Sequence, residues 1–152
     1  VCEVTDKQVR DLYDFLFMLL SGLAGQAAAR WQPGDIEDLV EMLPQLEQHF
    51  MNNDMRSAHK LAFHFVEIAT RRFAHNRYLA SNILNLIPLL KRYSFIALQE
   101  DISEFDVSLQ IFKRLQVNVV SRNVADAEAD IREYGENQCQ IVLRAIAKRN
   151  VA

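Results

Sequence analysis

Apolar residues recur along this chain at three- and four-residue intervals almost throughout, and no segment alternates apolar with polar residues for long enough to make a strand. Helix punctuation cuts the pattern into six. Thr5 followed by Gln8 has the form of a capping box, opening a helix that reaches about Arg30. Gln32–Gly34 (QPG) reads as a turn. Asp35 is placed to cap a second helix to about Met51, with Pro44 as an expected kink. Asp54 is placed to cap a third, to about Phe73, and His75–Arg77 (HNR) is the next break. A fourth helix, about Arg77–Leu98, is apolar nearly all round, so it is expected to be central and bent at Pro88. Ser103 should cap a fifth, to about Ser121, and Asn123 a sixth, to about Lys148. The prediction is an all-α, single-domain antiparallel bundle of six to seven helices over residues 1–152.

The sixth helix carries the least ordinary pattern. Ala127, Ile131, Tyr134, Gln138, Val142 and Ala145 share one face, which should point inward although it holds a phenol and an amide. Gly135 lies beside them, and glycine inside a helix costs about 1 kcal/mol relative to alanine. Something must approach closely there, either a neighbouring helix or a ligand. The first helix has a small-residue patch, Ser21, Gly22, Ala24, Gly25, Ala27 and Ala28, suited to a close helix crossing or a dimer contact. On the third, Lys60, His64, Glu67 and Arg71 form a polar stripe that periodicity assigns to solvent. Ser81, Asn85 and Arg92 on the fourth have the same reading.

Composition narrows the class. A chain of 152 residues is long enough for one sizeable core, and a net charge of −3 gives it no basic excess with which to grip nucleic acid by itself. Phe15–Ala29 is the longest apolar run, but it contains Ser21 and Gln26 and falls short of the roughly 20 residues of a span, so a buried core helix is expected. Cys2 and Cys139 form no close-spaced pair; neither a zinc motif nor a disulfide framework is expected, and a cytoplasmic location is the simplest reading. There is no nucleophile elbow, HExxH pair or glycine-rich phosphate loop. His59 and His64 are five apart and share no helical face. No enzymatic activity is expected.

Four segments in order carry a family resemblance. Leu12–Leu39 resembles the opening helix and turn of the C-terminal effector-binding (FCD-like) domain of GntR-type bacterial transcription regulators, FadR subfamily. Lys60–Ala69 (KLAFHFVEIA) resembles that family's D-x-x-F-H-R-A-L segment, and His75–Ile87 its G-N-P-Y-L turn and following helix. Phe112–Tyr134 resembles its H-x-x-I…D-A-x-x-A…M-x-x-H segment. The similarity spans nearly the whole chain. It implies a cytoplasmic homodimer that meets DNA through an N-terminal winged helix-turn-helix domain absent from this sequence. The first residue, Val1, suggests a piece of a longer protein.

Many members hold a metal with one aspartate and three histidines. The matching positions here are Lys60, His64, Phe112 and Tyr134, so no metal or other cofactor is expected. Leu16 and Leu20 stand where the family often has a cavity-facing arginine and glutamate. These departures resemble the subfamily's fatty-acid-responsive member, whose last long helix has a similar tyrosine–glycine pair. The resemblance therefore implies an apolar carboxylate effector, a fatty acid or acyl-CoA. Leu16, Leu20, Phe63 and Phe112 would hold its tail, Lys60, His64 and Arg92 its head, and Tyr134, Gly135 and Gln138 would complete the site. The alternatives are a polar organic-acid sensor built on Lys60, His64, Arg92 and Gln138, and a helical dimerisation or interaction module without a small ligand.

Overall fold

The helical periodicity resolves into α1 (Asp6–Arg30), α2 (Glu37–Met51), α3 (Met55–Phe73), α4 (Arg77–Ala97), α5 (Phe105–Val120) and α6 (Val124–Val151). The structure, a computed structural model, describes residues 4–98 and 105–151, and no strand occurs among them. Ser103, expected to cap α5, lies outside the described residues.

Caps set most of the boundaries. Thr5 and Gln8 form the capping box, each side chain accepting from the other's backbone N–H at 3.1 Å. Asp54 accepts from Ser57 N at 3.1 Å, and Asn76, the middle of HNR, accepts from Tyr78 N and Leu79 N to start α4. Asp35 does not cap α2. Its carboxylate reaches back to Gln32 N at 2.8 Å, closing the turn in which Gly34 takes φ 96°; Ile36 is the N-cap, without a side-chain bond. Asn123 occupies the cap position of α6 through its backbone carbonyl, which accepts from Ala127 N at 2.9 Å, while its side-chain amide donates to Asn118. Both α2 and α4 continue through their prolines.

The most extensive packing is between α1 and α6, followed by α5 with α6. The expectation that α4 is central is corrected: Ile83, Ile87, Leu90, Tyr93 and Ala97 make one buried face, while Tyr78 is 72% and Phe95 43% exposed. The core helix is α1, whose Val9, Leu16 and Ala28 are fully enclosed. Its small residues serve the crossing with α6: Ser21 Oγ accepts from Arg132 at 2.8 Å, and Glu128 lies over Gly25. The C-terminal end of α1 is fastened to the α5–α6 turn. Arg122, held at φ 60°, places its guanidinium 4.3 Å from the centre of the Trp31 ring and donates to the carbonyls of Ala28, Ala29 and Trp31. That bonding serves carbonyls a helix end leaves unpaired.

The inward face of α6 is as its periodicity predicts. Ala127, Val142 and Ala145 are fully buried, and Ile131, Tyr134 and Gln138 are half-buried between them. Asp130 is buried beside this face, where Arg114 Nε donates to it at 2.6 Å and Asn118 Nδ2 also donates.

Candidate functional site

Side chains from all six helices surround an internal cavity of about 180 Å³. Its wall is almost wholly apolar. An arc of rings crosses four helices: Tyr13 stacks on Phe17 (centroids 5.6 Å apart), Phe17 meets Tyr134 (6.2 Å), Tyr134 meets Phe112 (6.2 Å), and Phe112 stands edge-on to Phe65 (4.9 Å). Offset and tilted pairs of this kind gain about 0.5–1.5 kcal/mol each beyond area burial. The remaining wall is supplied by aliphatic side chains, including Leu20, Leu23, Leu90 and Leu115.

Few polar groups interrupt it. On the α3–α4 side, His59 Nε2 lies 2.6 Å from Ser94 Oγ, and Ser94 donates to the Lys91 carbonyl at 3.2 Å. The direction of the His59–Ser94 bond follows the imidazole tautomer: Nε2–H donates to Ser94 Oγ, or a bare Nε2 accepts from it. Burial, and secondarily the Lys91 ammonium, hold the His59 pKa below its ordinary value. On the α5–α6 side, Asn137 and Gln138 both donate to Ser108 Oγ. Tyr134 presents its phenol to the same space, and burial pushes its pKa up to about 12, so it remains a neutral donor. Gln116 also lines the cavity, and its Nε2 is buried without a hydrogen-bond partner among the described residues.

Half of the residues expected at a site are brought together here: Leu20, Phe63, Phe112, Tyr134 and Gln138 all line the cavity. The others are not. Lys60 and His64 are exposed on the outer face of α3, as periodicity alone assigned them, and Arg92 is exposed on α4. Leu16 is fully buried in the core behind the cavity wall. Gly135 faces Phe17, not open space: a Cβ on it would stand 2.3 Å from Phe17 Cγ. The cavity wall on α3 runs from Met55 to Phe73 and includes Ala58, His59, Ala62, Phe63, Phe65 and Val66. The residues that sequence reasoning missed are Ser108 and Gln116, four before and four after Phe112 on one face of α5, and His59, four before Phe63 on α3.

The positions that match the family's metal ligands do not fit a metal. Lys60 and His64 point to solvent, Phe112 has no donor atom, and the Tyr134 phenol is held protonated. No group of three or more His, Cys, Asp or Glu residues is placed to hold an ion among the described residues.

Fold and cavity together define an all-α bundle with a partly open apolar chamber at the junction of its helices. Residues 11–137 match the FCD domain, and the chain belongs to that family, the C-terminal effector-binding domain of GntR-family regulators. No curated protein and no solved structure matches the chain. Family membership makes this a ligand-sensing regulatory domain, of a class that is generally non-enzymatic.

Proposed function

We propose that the internal cavity is the effector site and that the effector is a predominantly apolar acyl compound, of the fatty-acid or acyl-thioester class, whose hydrocarbon part fills it. The observation that carries this reading is the apolar chamber of about 180 Å³ walled by an aromatic arc. Dry cavities of about 150 Å³ admit a molecule the size of benzene. In this conformation the chamber therefore suits one ring or a short chain, and a longer acyl group would require the helices to part. That requirement supplies a sensing mechanism. A ligand that binds the parted arrangement better shifts the population toward it, and an attached DNA-binding domain would read the change. The homodimer and the cytoplasmic setting typical of such regulators belong to the same proposal. The polar-acid alternative loses support from the geometry, since of Lys60, His64, Arg92 and Gln138 only Gln138 borders the cavity.

The test is thermal shift with hexanoyl and octanoyl compounds and with benzene, on the wild-type chain and on Ala62→Leu. Ala62 lines the cavity, so the added side chain occupies ligand volume. The wild type should be stabilised, by about 2.7 kcal/mol at a ligand concentration of 100 Kd, and Ala62→Leu should fold and lose the shift. A shift that survives in Ala62→Leu, or that only short dicarboxylates with added metal produce, would refute the reading.

A further inference from the structure

The cavity wall offers hydrogen-bond donors but no charge. No lysine, arginine, aspartate or glutamate lines it among the described residues. The cations expected there, Lys60 and Arg92, stand in solvent, and residues 99–104 contain no basic side chain in their sequence. His59 is the one lining side chain that ordinarily titrates near neutrality, and its buried setting favours the uncharged form. A carboxylate carried into the apolar interior of this chamber, away from its mouth, would shed its water and meet no counter-ion among the described residues, which is among the most unfavourable transfers available to a polar group.

Neutral acceptors face no such barrier. Gln116 is a wall residue whose Nε2 is closed off from the open space of the cavity as the side chain stands and has no partner among the described residues, and buried amide donors are nearly always paired in native proteins. It sits one helical turn beyond Phe112, against which the Tyr134 ring packs, so an amide and a phenol belong to the same part of the wall. A turn of the Gln116 side chain would bring that amide to the cavity, where a carbonyl oxygen on a ligand would give it the acceptor the protein alone does not supply.

We propose that, within the effector site proposed above, the polar end of the ligand is a neutral hydrogen-bond acceptor received by Gln116: the carbonyl of an ester, thioester, lactone or amide on a small apolar body, and not a free carboxylate. The proposal rests on the cavity being the effector site, and the experiment separates the two. Calorimetric titration of the whole chain at pH 7.5 with methyl hexanoate, hexanoate and benzene compares a neutral acceptor, its anion and an apolar control. Methyl hexanoate should bind at least about tenfold tighter than hexanoate. Gln116→Met, which keeps the bulk and removes the donor, should weaken the ester about tenfold and leave benzene unchanged. Because this variant deletes an unpaired buried donor it should fold normally, and Gln116→Leu gives the same comparison with a different shape. Hexanoate binding as tightly as its ester, or an ester affinity unmoved by both variants, overturns the proposal while benzene binding leaves the effector site standing. Failure of all three probes overturns the effector site and this proposal with it.

Discussion

Replacing Gly135 by alanine sets two opposing effects against each other. In an exposed helix the change should stabilise by about 1 kcal/mol, because alanine gives up less backbone freedom than glycine. Here the new methyl would lie 2.3 Å from Phe17 Cγ, 2.5 Å from Cδ1 and 2.7 Å from Cβ. These atoms are at the root of the Phe17 side chain, so rotating the ring does not relieve the contact; α1 itself must shift. The ring is also held from both sides, stacked on Tyr13 at 5.6 Å and against Tyr134 at 6.2 Å. Overpacking of a tight core costs about 1–3 kcal/mol, and contact at the side-chain root favours the upper end. The net expectation for Gly135→Ala is a loss of about 1–2 kcal/mol, or roughly 2–8 °C in Tm for a chain of this size. Urea denaturation of a double-mutant cycle checks it. Phe17→Ala alone should cost about 3–5 kcal/mol, and in that background Gly135→Ala should become stabilising by about 1 kcal/mol. If Gly135→Ala raises stability while Phe17 is present, the glycine is not there to accommodate α1, and the assignment of this site to helix packing is refuted.

Three further outcomes follow from the same contacts. His59 has a folded-state pKa below the 6.5 of the free side chain, so folding opposes its protonation. Its contribution is fully present above pH 6.5 and is lost as pH falls through the lower, folded value; denaturation midpoints from pH 7.5 to 5 should decline, and His59→Gln should flatten that slope. Asp130→Ala should destabilise by about 2 kcal/mol, since it strands Asn118 Nδ2 and the Arg114 Nε contact around a buried position, and chemical denaturation reads the loss directly. Zinc or nickel added in stoichiometric amount should leave Tm unchanged, because the four family metal positions do not converge on a site; one tightly held ion per chain in elemental analysis would contradict this.

Much of the fold was legible because its signals are local. The Thr5–Gln8 box, Asp54 and Asn76 act within three residues of themselves, and the inward face of α6 follows from spacing alone. Asp35 was misread because an Asx side chain before a helix can accept from either direction, and here the turn amide of Gln32 takes it. The central position of α4 was misread because apolar composition does not say which neighbours exist: α4 leaves Tyr78 and Phe95 in solvent, while α1, with small residues along its crossing, is enclosed. Gly135 left two explanations open in the sequence, and only the three-dimensional approach of Phe17, 118 positions earlier in the chain, distinguishes them.

The site was harder to read than the fold because a helix turns about 100° per residue. Matching Lys60–Ala69 to a family pattern fixes which letters correspond, but a face is defined by angle. On α3 the residues that meet the cavity include Ala58, His59, Ala62, Phe63, Phe65 and Val66, which make one broad helical face, and Lys60 and His64 lie on the opposite side. From His59 to Lys60, and from Phe63 to His64, one step along the helix leaves the chamber for solvent. The consequence is chemical as well as geometric. With Lys60 and His64 inside beside Phe63, the cavity would be a cationic receptor for an anion; with His59 beside Phe63 instead, its wall is neutral and aromatic, and the unpaired amide of Gln116 belongs to the same wall. Phe112 and Tyr134, at two of the family's metal-ligand positions, line a wall that among the described residues carries no lysine, arginine, aspartate or glutamate. Such a wall penalises entry of an unpaired charge, which is the physical basis of the proposed preference for neutral ligands.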